Sequence, residues 1–386
     1  MKKPGRDRRT FIRQSIAAAS GFSLGRATQT VASAAKGRPV ADVSIDALFT
    51  PYSIGPCQTR NRFVMAPMSV GEYEDGVPTA GVADHYELRA KGGVGLLITG
   101  GTIVDHPLGS AETNVGRMNA RSLEAWKVIT EKVHAHGAAI FCQLWYQGPL
   151  TNPGIGPRAI VEEGSTVVTE ASRSDLTSVI ESFVRSARLA HDAGFDGVEI
   201  HGAHGYLLDS YLRAFGTRAA DNTEVTPETF VYLLVKEVRA AVGPRFPMGF
   251  RFSRWSNSEY SGNYLGDPAS LEGILLPLKQ AGVDVFHASR GYGPFWPPEY
   301  KESPLTLAGW CKRVTGMPTI TVGHVGLEPR QFFSVNENGL STLMSQLTGN
   351  QFDLVGVGRA LLKNPDWVSM LKRKQYAALI AAGPAE

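Results

Sequence analysis

Cysteine is scarce in this chain of 386 residues. There are three, Cys57, Cys142 and Cys311. They are too few, and too irregularly spaced, for a disulfide framework or a thiolate metal site. They read as free thiols, with Cys57–Cys311 the one pairing left open. Long apolar runs are also missing. No stretch approaches the roughly 18 residues that would suggest a membrane-spanning helix. Charge is modest at 19% of residues, and the formal net charge of +3 is unevenly placed. Residues 1–34 carry seven basic side chains against one acidic, so the remainder stands at −3. A mildly acidic body gives no support for nucleic-acid binding. The 43% apolar content is that of a globular enzyme, and 42 glycines suit a fold with many tight strand-to-loop turns.

The basic leader has its own order. Asp7-Arg8-Arg9-Thr10-Phe11-Ile12-Arg13 resembles a twin-arginine export signal. A weakly apolar stretch follows from Ser15 to Leu24, and Ala32-Ser33-Ala34 reads as a cleavage site. This arrangement implies a signal peptide over 1–34, a linker over 35–47, a barrel over 48–375 and a tail over 376–386. It also implies contact with the twin-arginine machinery, a periplasmic location and no stable membrane insertion after cleavage. The alternative is a basic disordered tail.

From Asp42 the chain settles into alternation. A lead-in to Thr59 reads as a cap closing the bottom of the fold. Eight short apolar runs follow, at Phe63–Met68, Gly95–Val104, Ala138–Trp145, Gly197–Gly202, Pro247–Ser253, Val285–Ser289, Thr319–Gly323 and Leu354–Arg359. Runs apolar throughout are parallel strands covered on both faces. Helical spacing lies between them, at Val82–Ala90, Ser122–His136, Leu176–Ala193, Pro227–Val242, Leu271–Ala281, Leu305–Val314, Glu328–Asn336 and Pro365–Leu371. Eight strand–helix alternations predict an α/β fold, a single (β/α)8 TIM barrel. Tyr146 to Asp175 is long for its place and reads as a lid over the mouth. Gly291 to Pro298 forms a second, aromatic loop at the same end.

Sites in such barrels form where the strands end. His201-Gly202-Ala203-His204-Gly205-Tyr206-Leu207-Leu208-Asp209, after Ala193-Gly194-Phe195-Asp196-Gly197-Val198-Glu199-Ile200, resembles the old yellow enzyme family of FMN-dependent ene-reductases. The similarity runs from about Leu48 to Leu371. It implies that Ala66, Pro67, Met68 and Ser69 lie beneath the flavin, and that Gly101 leaves room for its ring. Gln143 would bind the pyrimidine edge and Arg251 the N1/O2 edge. A cation inside a barrel strand is costly unless paired, so a purely structural Arg251 would require a buried carboxylate. Gly323 and His324, with Gly358 and Arg359, would take the phosphate. Gly356-Val357-Gly358 lacks the third glycine and the βαβ context of a dinucleotide fingerprint.

His201 and His204 taken alone could be metal ligands, satisfied core residues or donors. The resemblance makes them the pair that binds the oxygen of an activated alkene, and makes Tyr206 the proton donor. It implies FMN as cofactor, NAD(P)H as electron donor and a small-molecule substrate, and leaves a homo-oligomer open. Two segments depart from the family. Tyr146-Gln147-Gly148-Pro149 replaces its usual His-Ala-Gly-Arg. Ala219-Ala220-Asp221 follows Arg218 where acidic and tyrosine-glycine-glycine residues are usual. Three other readings stay open: an exported flavoenzyme using another donor or oxidising an amine or alcohol, a flavin-free hydrolase or isomerase, and a non-catalytic binding barrel.

Overall fold

The computed structural model describes residues 43–218, 224–257, 264–289, 303–323, 327–328, 331–335, 337–376 and 379. Eight strands form its centre: β1 (Phe63–Met65), β2 (Leu96–Ile98), β3 (Ala139–Trp145), β4 (Gly197–His204), β5 (Met248–Ser256), β6 (Val285–Ser289), β7 (Thr319–Val322) and β8 (Leu354–Val357). Each pairs in parallel with the next, β8 pairs with β1, and the sheet closes on itself. The surrounding helices are α1 (Ala80–Lys91), α2 (Leu123–His134), α3 (Arg173–Asp192), α4 (Leu207–Phe215), α5 (Phe230–Val242), α6 (Pro268–Gln280), α7 (Leu307–Thr315), α8 (Glu337–Thr348), α9 (Arg359–Lys363) and α10 (Trp367–Lys372). This is the expected (β/α)8 barrel.

Local chemistry starts several helices. Ser172 accepts from Asp175 N at 3.2 Å and Asp175 reaches back to Ser172 N at 2.8 Å, a reciprocal cap on α3. Asp267 caps α6, whose first residue is Pro268, where a missing N–H costs nothing.

Strand alternation sorts the side chains into two cores. Val198, Ile200, Phe250, Phe252 and Phe286 pack outward beneath the helices. Val64, Leu96, Ile98, Ala139, Phe141, Val285, Ile320 and Leu354 fill the lower interior. Ile54 joins that inner cluster, fully buried, from a hairpin of Tyr52–Ile54 and Cys57–Thr59. The lead-in therefore plugs the floor, as its apolar residues suggested.

Three elements differ from the sequence reading. The second run breaks at Thr99-Gly100-Gly101, and Thr102–Val104 forms a separate strand beside the upper half of β3. Gly100 N–H donates to the Tyr86 hydroxyl, and a Cβ on Gly100 would lie 2.4 Å from the Met68 carbonyl oxygen. The helix expected over Glu328–Asn336 is instead two antiparallel strands, Leu327–Glu328 and Gln331–Val335. Phe332, Phe333 and Val335 favour extended backbone, and Pro329 cannot donate within a helix. The helix follows as α8, carried by the three- and four-residue spacing of Leu340, Leu343 and Leu347. Finally, β4 runs on to His204 and β5 to Ser256, two and three residues past their expected ends.

The Tyr146–Asp175 segment forms a turn at Gly148–Leu150 and a small sheet of Gly154–Gly156, Ile160–Glu162 and Ser165–Glu170. Gln147 accepts from Ser110 Oγ at 2.5 Å, and the Tyr146 hydroxyl lies 3.2 Å from His106 Nδ1. These bonds fasten the lid to the β2–α2 connection. Gly148 has φ of 68°, and a Cβ there would meet the Leu207 backbone at 2.7 Å. Only glycine fits. All three cysteines are free, and burial pushes the Cys142 and Cys311 thiols up to about 12.

Candidate active site

Above the apolar floor the barrel interior turns polar. Gln143 on β3 stands in register with Glu199 on β4. One step higher, His201, Arg251 and His287 align across β4, β5 and β6, and Ser253 aligns with Ser289 above them. All seven are buried.

Glu199 is the centre of this layer. Its carboxylate accepts from Gln143 Nε2 and from His287 Nδ1, each at 2.7 Å. Burial alone would raise its pKa, but His287, Arg251 and Gln143 outweigh that and hold it below the usual carboxylate range. Burial keeps the His287 imidazole neutral, so Nδ1–H is the donor. The run Gly197–Gly202 is thus not apolar throughout, contrary to its reading as a strand buried on both faces. Glu199 within it points into the barrel and carries a charge.

Arg251 is 7% exposed. Burial lowers its pKa, and Glu199 and Tyr206 pull it back up. One nitrogen, Nη2, reaches Ser289 Oγ at 3.3 Å, whereas the buried Nε has no partner among the described residues. A structural arginine was expected to require a buried carboxylate, and Glu199 is one. That carboxylate accepts its hydrogen bonds from Gln143 and His287, so it compensates Arg251 by charge at a distance. The guanidinium therefore retains unused donors. An unmet buried donor costs roughly 1–3 kcal/mol. The pyrimidine edge of a flavin, with carbonyl oxygens and ring nitrogens, is an acceptor of the required kind, so Arg251 and Gln143 fit FMN.

The other cofactor candidates converge at the same end. Ala66 N donates to the Val357 carbonyl at 3.0 Å, which ties the segment after β1 to the end of β8. Met68 Sδ lies 3.7 Å from where a Cβ on Gly358 would stand. Ala66 is buried, Pro67 and Met68 are half-buried, and Ser69 is exposed. Gly323 closes β7 with φ of 133°, and Arg359 begins α9 with its side chain exposed. At Gly101 a Cβ would meet the Trp145 ring at 3.2 Å, so that small residue makes room first for the indole. His324, the aromatic loop at 291–298 and the altered segment at 219–221 lie outside the described residues.

His201, His204 and Tyr206 come together as a cluster of rings. His201 meets His204 and Tyr206 edge to face, each at 5.0 Å between centroids. Trp145 meets the other side of Tyr206 at 5.0 Å. His201 Nδ1 accepts from Ala203 N at 3.3 Å, and His204 Nε2 lies 2.7 Å from Ser289 Oγ. Burial, then the positive charge of Arg251, push both imidazoles well below their ordinary pKa. Both are neutral at physiological pH, and each keeps one N–H to donate.

Several neighbours were not singled out in the sequence. Glu199, His287 and Ser289 had a usable signal, since polar side chains inside apolar barrel strands need a reason. Trp255, stacked on His204 at 4.2 Å and 25°, had none.

Comparison with known proteins identifies the family. The model of the NADH:flavin oxidoreductase / NADH oxidase family matches residues 47–377. An NADH oxidase of Thermoanaerobacter brockii is 32% identical over 344 residues, covering 84% of this chain but only 50% of that protein. An NADPH dehydrogenase of Bacillus licheniformis is 30% identical over 328 residues, covering 83% and 92% of the two chains. The structure of morphinone reductase in complex with tetrahydroNAD superposes with a TM-score of 0.69 at 21% identity, covering 88% of this chain and 93% of that one, a likeness of fold. The chain therefore belongs to the NADH:flavin oxidoreductase / NADH oxidase family, the old yellow enzymes, and is an FMN-dependent oxidoreductase.

Proposed function

We propose that this enzyme reduces electron-poor C=C bonds, in enones and nitroalkenes, and that Tyr206 supplies the proton. The observation that carries the reading is the cluster of neutral His201 and His204 beside Tyr206 at the barrel mouth. Two neutral imidazole N–H groups suit the carbonyl or nitro oxygen of an activated alkene. As the alkene accepts hydride, charge develops on that oxygen, and fixed donors in a water-poor site stabilise it. FMN, when bound, supplies the hydride. A phenol, with an ordinary pKa of about 10, keeps its proton at neutral pH and can pass it to the carbon next to the activating group. Trp145 and His201 flank the Tyr206 ring and limit its rotation.

The relatives' names favour NADPH or NADH as donor. The leader adds a second part to the proposal. Residues 1–34 direct export by the twin-arginine route and are removed, 35–47 link, and 48–375 form the catalytic barrel. A periplasmic enzyme would need a donor available there, so a non-nicotinamide reductant is a second reading of the donor, favoured by that leader alone.

Stopped-flow kinetics of the Tyr206→Phe enzyme under anaerobic conditions test the reading. Reduction of the bound flavin by NADPH should be unchanged, and its reoxidation by 2-cyclohexenone should slow on the order of a hundredfold or more. Equal reoxidation rates would remove Tyr206 from the chemistry.

A further inference from the structure

The turn that presents Tyr206 is strained. His204 has φ of 69° and Gly205 φ of 84°, two successive residues in the left-handed region. Glycine takes this freely, whereas histidine pays on the order of 1 kcal/mol or more and keeps the shape only if its surroundings impose it. Tyr206 then returns to extended backbone and starts α4.

The restraint comes from groups that the proposed chemistry does not use. Asp209, in the first turn of α4, is fully buried. Its Oδ2 accepts from Gly205 N at 2.6 Å and from Arg213 Nε at 2.7 Å, and its Oδ1 accepts from the Tyr264 hydroxyl at 3.2 Å. Arg213 lies 4.1 Å over the Tyr264 ring and donates through Nη2 to the Trp255 carbonyl at 2.9 Å. Ser253 Oγ donates to the same carbonyl at 2.7 Å and accepts from His204 N at 2.9 Å. The Trp255 indole covers the His204 ring. These contacts form a closed circuit through Asp209, Arg213, Trp255, His204 and Gly205. It joins the end of β5 to the turn after β4.

We propose that Asp209, as a carboxylate held by Arg213, is a positioning residue that fixes the His204–Tyr206 turn and so aims the imidazole and the phenol at the substrate. This rests on the reading of His204 and Tyr206 given above. Asp209 and its partners touch neither the reacting atoms nor the flavin edge at Arg251.

The charge state gives the circuit a pH dependence. Burial pushes the Asp209 carboxyl up to about 6, against Arg213, Gly205 N–H and Tyr264, which pull it down. Among the described residues, Arg213 is the one charged group paired with it. Burial keeps the Tyr264 hydroxyl protonated, and His204 is neutral. With a raised pKa, the carboxylate is complete above pH 7 and is lost as the pH falls through 6. Protonation removes its charge-assisted bonds to Gly205 and Arg213 and releases the turn.

The FMN-loaded Asp209→Asn enzyme tests this by anaerobic stopped flow from pH 5 to 8, with wild type and Tyr206→Phe alongside. In wild type, reoxidation by 2-cyclohexenone should fall on the acid side with a midpoint near pH 6. In Asp209→Asn it should be slower by on the order of ten- to a hundredfold at pH 7.5, the scale of a misplaced catalytic group, and the acid limb should vanish. Reduction by NADPH should stay within about twofold, the margin allowed for an untouched half-reaction. The proposal is overturned if both half-reactions slow in proportion, if reoxidation is unchanged while Tyr206→Phe is impaired, or if the acid limb is absent from wild type or persists in the variant. If Tyr206→Phe is itself unimpaired, the reading of Tyr206 fails, and the positioning role fails with it. Should Asp209→Asn not fold, Arg213→Lys keeps the charge but loses the fork that reaches Trp255. It should slow reoxidation selectively, and equal slowing of both halves would again refute the role.

Discussion

Glu199 makes a buried arginine tolerable in the middle of this barrel, and replacing it with glutamine measures how much. The side chain keeps its volume and one acceptor, but the charge goes. Arg251, 7% exposed, then stands without a compensating anion. One of Gln143 and His287, both donors to Glu199 at 2.7 Å, must face an amide N–H in place of an oxygen. Removing one partner of a buried charge pair costs about 3–5 kcal/mol, and the lower figure applies because the carboxylate's own desolvation is relieved. At the roughly 2–4 °C per kcal/mol of large domains, Glu199→Gln should lower the Tm of the FMN-free protein by about 6–12 °C. Saturating FMN should narrow the gap, because the flavin edge then accepts from Arg251 and ligand binding adds to native-state stability. Thermal unfolding followed by circular dichroism, with and without FMN, reads both effects. An FMN-free variant melting within about 2 °C of wild type, the equivalent of less than 1 kcal/mol, would refute the compensation. A gap that FMN leaves untouched would refute the placement of Arg251 at the cofactor.

Two further predictions concern the scaffold. Ile54→Ala opens a cavity at the floor, where its side chain is wholly buried among Val64, Phe141 and Leu354. It should cost about 2–5 kcal/mol by denaturant titration and leave the rate of reoxidation by enone unaltered. His134 lies 2.8 Å from Asp196 Oδ2, and that hydrogen bond, outweighing burial, raises its pKa. A histidine held charged in the fold stabilises fully below its unfolded pKa of about 6.5, and the effect fades as pH rises through the elevated value. Both side chains are partly exposed, so screening leaves about 0.5 kcal/mol. His134→Gln should therefore lower the Tm slightly at pH 5.5 and not at pH 9; equal losses at both would refute the ion pair.

The barrel was legible because a strand covered on both faces must be apolar along its length, and eight such runs stand apart in this sequence. The floor was legible for the same reason, since Ile54 has nowhere polar to go. What alternation alone did not reveal was the polar layer. Glu199, His287 and Ser289 lie far apart in the chain and become neighbours only through the register of β4, β5 and β6. His201 and His204 were visible as residues, but their neutrality follows from burial beside Arg251, which is a property of the closed barrel. The helix expected over Glu328–Asn336 gives way to two strands because the helical spacing lies further on. The spacing that builds α8 begins at Leu340, after Gln331–Val335 has already formed a strand.

The left-handed backbone at position 204 also limits what can replace its side chain. A φ of 69° most favours glycine, asparagine, aspartate and histidine, and strongly disfavours β-branched residues. If His204 meets the substrate's oxygen as proposed, aspartate would bring a negative charge to where that oxygen gathers one, and glycine would bring no donor. Asparagine remains, with an amide N–H2 on a shorter arm. On the proposed reading, histidine and asparagine are thus the least strained neutral donors for position 204. Main-chain geometry and the sign of one charge select them before any substrate is considered.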